Sequence, residues 1–310
     1  MPQPALYLRT HSLQGGAFAA IALGLASPVF AQSETTPPVA ANDSTITVTG
    51  QKKQKSEIRR EARAFTSVMI TPTIGQYSRR QTGICPLVIG IDPSYHKIIY
   101  AKIRDVATRI GAKVADNNCK INSFIIFSEN VIDSLAQLRR TRPQIFTEVP
   151  FLERNSFFKQ PAPARWWYRT EVKDTEGRTF SGGLVRNSDD SPVIASSNSA
   201  ESLIFSTIQI NLMASVVMID LKKAEGYPLE AIAAHAAMVS LVQVKPDKNF
   251  ADVPSILNIF APGKSPSDAP TDLTRWDYAF AESIYEIRAR QSGAAQKSEL
   301  AHRVAAKLAR

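Results

Sequence analysis

Histidine and cysteine are scarce in this chain, four and two among 310 residues. That scarcity excludes zinc fingers, iron–sulfur centres and multi-histidine metal cages, all of which need more ligands of these types. Beyond the N-terminal segment there is no apolar run of about 18 residues, the length a membrane-crossing helix requires. The G-x-S-x-G elbow of the common serine hydrolases is absent. Other catalytic patterns occur only as fragments. Gly263-Lys264-Ser265 matches the end of a phosphate-binding loop, but Asn258 stands where its first glycine belongs. Ser94 to Lys97 fits S-x-x-K and Ser196 to Asn198 fits S-x-N, without the Lys-Thr-Gly strand a penicillin-binding site also needs. Asp189-Asp190 has no glycine or glutamate at calcium-loop spacing. No catalytic residue, metal ligand or cofactor is therefore expected.

What is present describes an exported globular chain. Apolar residues make up 44% and charged residues 21%, near the globular average, so a packed core is expected. Residues 1–31 read as a signal peptide. Arg9 precedes an apolar stretch from Ala17 to Ala26, and Val29-Phe30-Ala31 predicts cleavage between Ala31 and Gln32. A periplasmic or secreted location after Sec-type export follows. In that oxidising setting Cys85 and Cys119 are expected to form a disulfide. Closing a loop of this size stabilises by about 3–4 kcal/mol through lost unfolded-state entropy.

The net charge of +9 is concentrated at two places. Residues 52–63 carry six bases against two acids, and residues 288–310 carry six bases against Glu299, whereas 64–287 is nearly neutral. Basic ends on an exported chain fit an anionic lipid surface better than nucleic acid, and no RNA-binding or helix-turn-helix signature accompanies them.

Residues 32–59 read as a polar and basic linker, 60–290 as one α+β domain, and 291–310 as a basic amphipathic tail. Ile58, Ala62, Phe65 and Met69 share a helical face over 52–70. A short strand is expected at 85–91. Asp92 and Pro93 then open a helix with Ile99, Ile103, Val106 and Ile110 on one face and Gly111 at its end. Phe124 to Phe127 reads as a strand covered on both faces, and Val131, Leu135 and Leu138 mark the next helix. The Pro-rich stretch 150–165 is expected as loop, Trp166–Phe180 as a hairpin, 187–199 as loop and 203–219 as strand. Pro228 to Val242 is an apolar helix. Thr274 with Asp277 forms a capping box for a last packed helix, with Leu273 and Tyr278 as its staple. Leu300, Val304 and Leu308 follow in the tail at intervals of four. The fold class is thus a single mixed sheet packed with helices.

One arrangement of these elements resembles a known family. Strand 214–219 precedes the helix carrying His235, Pro254-Ser255-Ile256-Leu257-Asn258 follows, and Leu273-Thr274-Arg275-Trp276-Asp277 opens a helix ending near Ile284-Tyr285. This order resembles the C-terminal half of zincin-type metallopeptidases. There an edge strand leads to an H-E-x-x-H helix, a P-S-I-M-N-like turn and an L-T-x-x-D helix. The resemblance implies a zincin-like fold, with helix 94–110 and strand 123–127 as its backing helix and sheet strand, and a candidate site at His235. The base and second ligand of that motif are replaced by Ala236 and Val239. The whole chain also resembles a family of exported Gram-negative proteins with a V-T-G segment (Val48-Thr49-Gly50), which implies export and no particular activity.

The expected function is that of a non-catalytic exported protein, a pseudo-peptidase that binds a peptide or cell-envelope component. Two alternatives stand beside it, an active hydrolase using other residues and a membrane-surface adaptor working through its basic ends.

Overall fold

In the computed structural model, which describes residues 54–69, 76–116, 118–174, 176–179, 184–186, 192–194, 206–245 and 253–310, the apolar runs of the sequence become one four-stranded mixed sheet. The expected signal peptide, its Ala31–Gln32 cleavage site, the Val48-Thr49-Gly50 segment and the Asp189-Asp190 loop lie outside the described residues. The strands are β1 (Pro86–Ile89), β2 (Ser123–Ser128), β3 (Ala164–Lys173) and, after a separate two-stranded ribbon of β4 (Leu184–Arg186) and β5 (Pro192–Ile194), β6 (Gln209–Asp220). The order across the sheet is β1-β2-β6-β3. β1, β2 and β6 run parallel, and β3 is antiparallel to β6.

Alternation along the strands sends apolar side chains to both faces. Val88, Ile125, Phe127, Trp166, Tyr168, Val217 and Ile219 join the larger core. That core is closed by α1 (Lys55–Met69), α2 (His96–Arg109), α5 (Leu229–Leu241), α6 (Arg275–Glu286) and α7 (Gly293–Leu308). On the other face Trp167 and Met218 pack with Val131 and Leu135 of α3 (Val131–Thr141) and with Phe157 and Phe158 of α4 (Arg154–Lys159). The α+β class expected from the sequence is thus the observed one.

Local signals act where the sequence places them. The Asp92 side chain accepts from Ser94 N–H at 2.8 Å, and Pro93 starts a short 3-10 turn that leads into α2. Gly90, at the end of β1, has φ +89°, and a Cβ there would collide with the Phe127 carbonyl oxygen. β1 therefore hugs β2 at a point only glycine allows. Cys85 and Cys119 are bonded, with Cα atoms 6.0 Å apart, and bracket β1 and α2.

Several local expectations give way to long-range packing. The stretch 150–165 contains α4, because Phe157 and Phe158 find Phe146 and Trp167 to pack on. Among the described residues the expected Trp166–Phe180 hairpin shows one bridge, between Lys173 and Thr179, and β3 pairs with β6 along its whole length. Residues 192–194, inside the expected 187–199 loop, form a strand. The tail read at 291–310 carries α7. Leu300, Val304 and Leu308 of that helix are buried in the main core, and the last residues of the 32–59 linker begin α1.

Candidate functional site

His235 sits in the middle of α5, whose residues from Ala231 to Leu241 are all buried. Its ring meets Trp166 and Phe260 edge-on, each with centroids 5.5 Å away, and its Nδ1 has no hydrogen-bond partner among the described residues. Burial pushes its pKa down to about 4, so the ring is neutral at physiological pH. Ala236 and Val239 are fully buried beside it. His96 interacts with the Ile91 carbonyl and His302 lies on α7, so neither joins His235. No group of three or more His, Cys, Asp or Glu side chains converges among the described residues.

The layout around α5 departs from the resemblance at a point that matters for chemistry. The strand before the helix, expected at the sheet edge, is β6, and it lies between β2 and β3. Both of its edges are taken, so no extended substrate can pair with it. The Pro254–Asn258 turn and the Leu273–Asp277 segment are joined to each other through Asp277, and the turn also packs on α5 and leads into Phe260 beside the His235 ring. The mixed α+β sheet is the expected one, and the edge position of the strand before α5 is not.

Sequence reading passed over a different place. A cleft of about 490 Å³ opens at the carboxyl ends of the three parallel strands. Phe127 from the end of β2, Leu221 from the end of β6, Tyr95 before α2, Tyr227 before α5, and Leu229 and Ile232 of α5 supply an apolar wall. Exposed Glu129, Lys222 and Glu225 also line it. Clefts beyond the carboxyl ends of parallel strands are where open α/β sheets hold ligands, since loops there diverge while the strands hold them in place. The available signal was the parallel alignment itself, which needs the long-range pairing of β2 with β6. The cleft lies within the range of small-ligand sites in size. Its described lining residues include no nucleophile–base pair.

A second buried centre lies at the opposite ends of the same strands. Arg80 is 2% exposed and donates to the carbonyls of Asn122, Met213 and Ser240 and to Ser215 Oγ, at 3.0–3.4 Å. Burial lowers its pKa to about 10. Its acceptors are neutral groups, among them a carbonyl at the C-terminal end of α5, where the helix dipole favours a cation. Arg80 thus clamps β2, β6 and α5 and faces no open site. No protein-family model, curated protein or solved structure matches the chain.

Proposed function

We propose that this protein is a non-catalytic, exported binding protein that holds an aromatic or branched aliphatic group of a peptide in the cleft at the carboxyl ends of β1, β2 and β6. The observation that carries this reading is the cleft's composition, an apolar wall with charged groups at exposed positions and no catalytic constellation. The edge strand supports a peptide as the bearer of that group. β1 is at the margin of the sheet, its Ile89 is 42% exposed, and the chain runs through Gly90 into Ile91 on the cleft wall. A peptide laid against Ile89 can deliver a side chain there without pairing along β1, because Val88 N–H already donates to Tyr100 Oη and Pro86 has no N–H. The Cys85–Cys119 bond fits the oxidising compartment that the N-terminal sequence implies.

The test uses a neutral apolar fluorophore, N-phenyl-1-naphthylamine. Saturable binding at one site per chain is expected, with displacement by short peptides holding one phenylalanine but not by their glycine counterparts. Leu221→Trp, which fills the cleft from a half-buried position, should abolish both effects while leaving the far-UV spectrum unchanged. Binding that survives Leu221→Trp, or no binding at all, would remove this reading.

A further inference from the structure

The two basic segments of the sequence, more than two hundred residues apart, meet in space. α1 and α7 pack side by side on the main core. Arg59 and Arg63, one turn apart on α1, line a groove of about 530 Å³ together with Ser298, Glu299 and His302 of α7.

The structure sorts the bases around α7 into two groups. Lys307 is paired with Glu282 and Glu286 at 2.9 and 2.7 Å, and Arg303 with Glu286 and Glu299 at 3.1 and 2.7 Å. Those charges are balanced within the fold. The side chains of Arg59, Arg63 and His302, which line the groove, have no hydrogen bond or ion pair among the described residues. Glu299, the carboxylate on the groove wall, is already held by Arg303. The groove therefore keeps the uncompensated charge of two guanidinium groups.

We propose that this groove binds a phosphate monoester, with Arg59 and Arg63 as the charged clamp and His302 and Ser298 as further hydrogen-bonding partners. Side chains at i and i+4 share one helix face, so both guanidinium forks can reach one tetrahedral anion. A monoester carries a charge of roughly −1.5 to −2 at neutral pH, which matches the two free cations. It also offers several oxygens, which the planar fork of arginine meets two at a time. A single carboxylate would leave one guanidinium unanswered. Such a group occurs on soluble phosphate esters and on phosphatidic-acid-type headgroups alike. The site is separate from the apolar cleft and does not depend on what the cleft holds.

Two measurements on the purified full chain distinguish the sources. Calorimetry with inorganic phosphate tests the free anion. Co-sedimentation with phosphatidylcholine vesicles, with and without phosphatidic acid, tests the headgroup. Binding to phosphate and to the acidic vesicles supports a site for the group itself, and binding to acidic vesicles alone supports a headgroup site. In either case Arg59→Gln with Arg63→Gln should weaken binding about tenfold or more, the loss expected for charge-assisted hydrogen bonds. His302→Gln should give a smaller loss. Arg60→Gln, exposed on the same helix but not on the groove wall, should leave binding unchanged. Absence of binding in both arms overturns the proposal, as does an equal loss with Arg60→Gln, which would mark diffuse charge attraction.

Discussion

Ser255 Oγ donates to Asp277 Oδ1 at 2.6 Å, and this buried contact ties the turn before residue 260 to the start of α6. Asp277 also accepts from the N–H groups of Ile256 and Thr274, at 2.7 and 3.0 Å, and from Thr274 Oγ1 at 2.8 Å. Thr274 Oγ1 in turn accepts from Asp277 N–H, completing the capping box. One fully buried carboxylate thus satisfies three donors outright and shares the single Thr274 hydroxyl proton with the Pro254 carbonyl, and the two short motifs that resemble a metallopeptidase are here the two halves of one hydrogen-bonded joint.

Asp277→Ala should be among the most damaging single changes in the protein. It strands the buried donors of Ser255 and Ile256 and the half-buried N–H of Thr274, and each buried unsatisfied group costs about 1–3 kcal/mol. A loss of about 3 kcal/mol or more is expected in urea unfolding. A loss below about 1 kcal/mol would mean that the joint rearranges without its carboxylate.

His235 makes stability depend on acid. Unfolded, an imidazole titrates near 6.5, and in the fold burial brings it to about 4. Between those values the unfolded chain binds a proton that the native chain refuses, so stability falls as pH drops from about 6.5 to about 4. The full effect is about 3 kcal/mol. His235→Leu removes the titrating group together with the unpartnered Nδ1, and should flatten this part of the profile. Unfolding midpoints at several pH values for both proteins check it; equal slopes would refute it.

Zinc content follows from the same residue. Catalytic zinc needs about three protein ligands and an open water position. His235 is enclosed by aromatic rings, with alanine and valine at the positions the base and the second ligand would occupy. Protein made without a histidine tag should hold far less than one zinc per chain by atomic emission. Stoichiometric zinc that disappears in His235→Ala would restore a metallohydrolase.

Removing residues 291–310 should unfold the protein. Leu300, Val304 and Leu308 would leave the core, at about 1.5–3 kcal/mol each. Gln296 would also go. Its side chain accepts from Tyr77 N–H at 2.8 Å and donates to the Arg288 carbonyl at 2.9 Å. The total approaches the whole stability of an ordinary domain. Thermal melting by circular dichroism should show the cooperative transition lost or greatly lowered. An unchanged melt would show α7 to be dispensable.

Where neighbours in sequence are neighbours in space, the sequence could be read directly. Asp92 and Pro93 announce the entry to α2, the 4-3-4 spacing of Ile99 to Ile110 gives its buried face, and Thr274 with Asp277 opens α6. The cysteine pair was legible because the export expected from the N-terminal residues leaves an isolated pair few other fates. Strand order was not, because the partners of β6 lie far back in the chain. β3 alternates as a hairpin strand would, and nothing in residues 164–180 says that its partner begins at Gln209. The groove was half legible. Both charge clusters stand out in composition, but only helix packing shows that they face each other, and only the carboxylates of α6 and α7 decide which cations stay free.

The central position of β6 also sets the order in which the molecule can assemble. β2 and β3 never touch as strands, and each waits for β6, so Ser123 meets Ser215 across 92 positions of chain. As the polypeptide emerges N-terminus first, the disulfide-bracketed β1–α2–β2 unit is complete early, while β3, with Trp166, Trp167 and Tyr168, stands unpaired until residue 220 has appeared. Contacts of such long range slow folding and leave strand edges open meanwhile. The chain therefore passes through a stage with two sticky half-sheets, during which holdase chaperones and proteases compete for it, and the last main-sheet strand to arrive is the one that closes it from the middle.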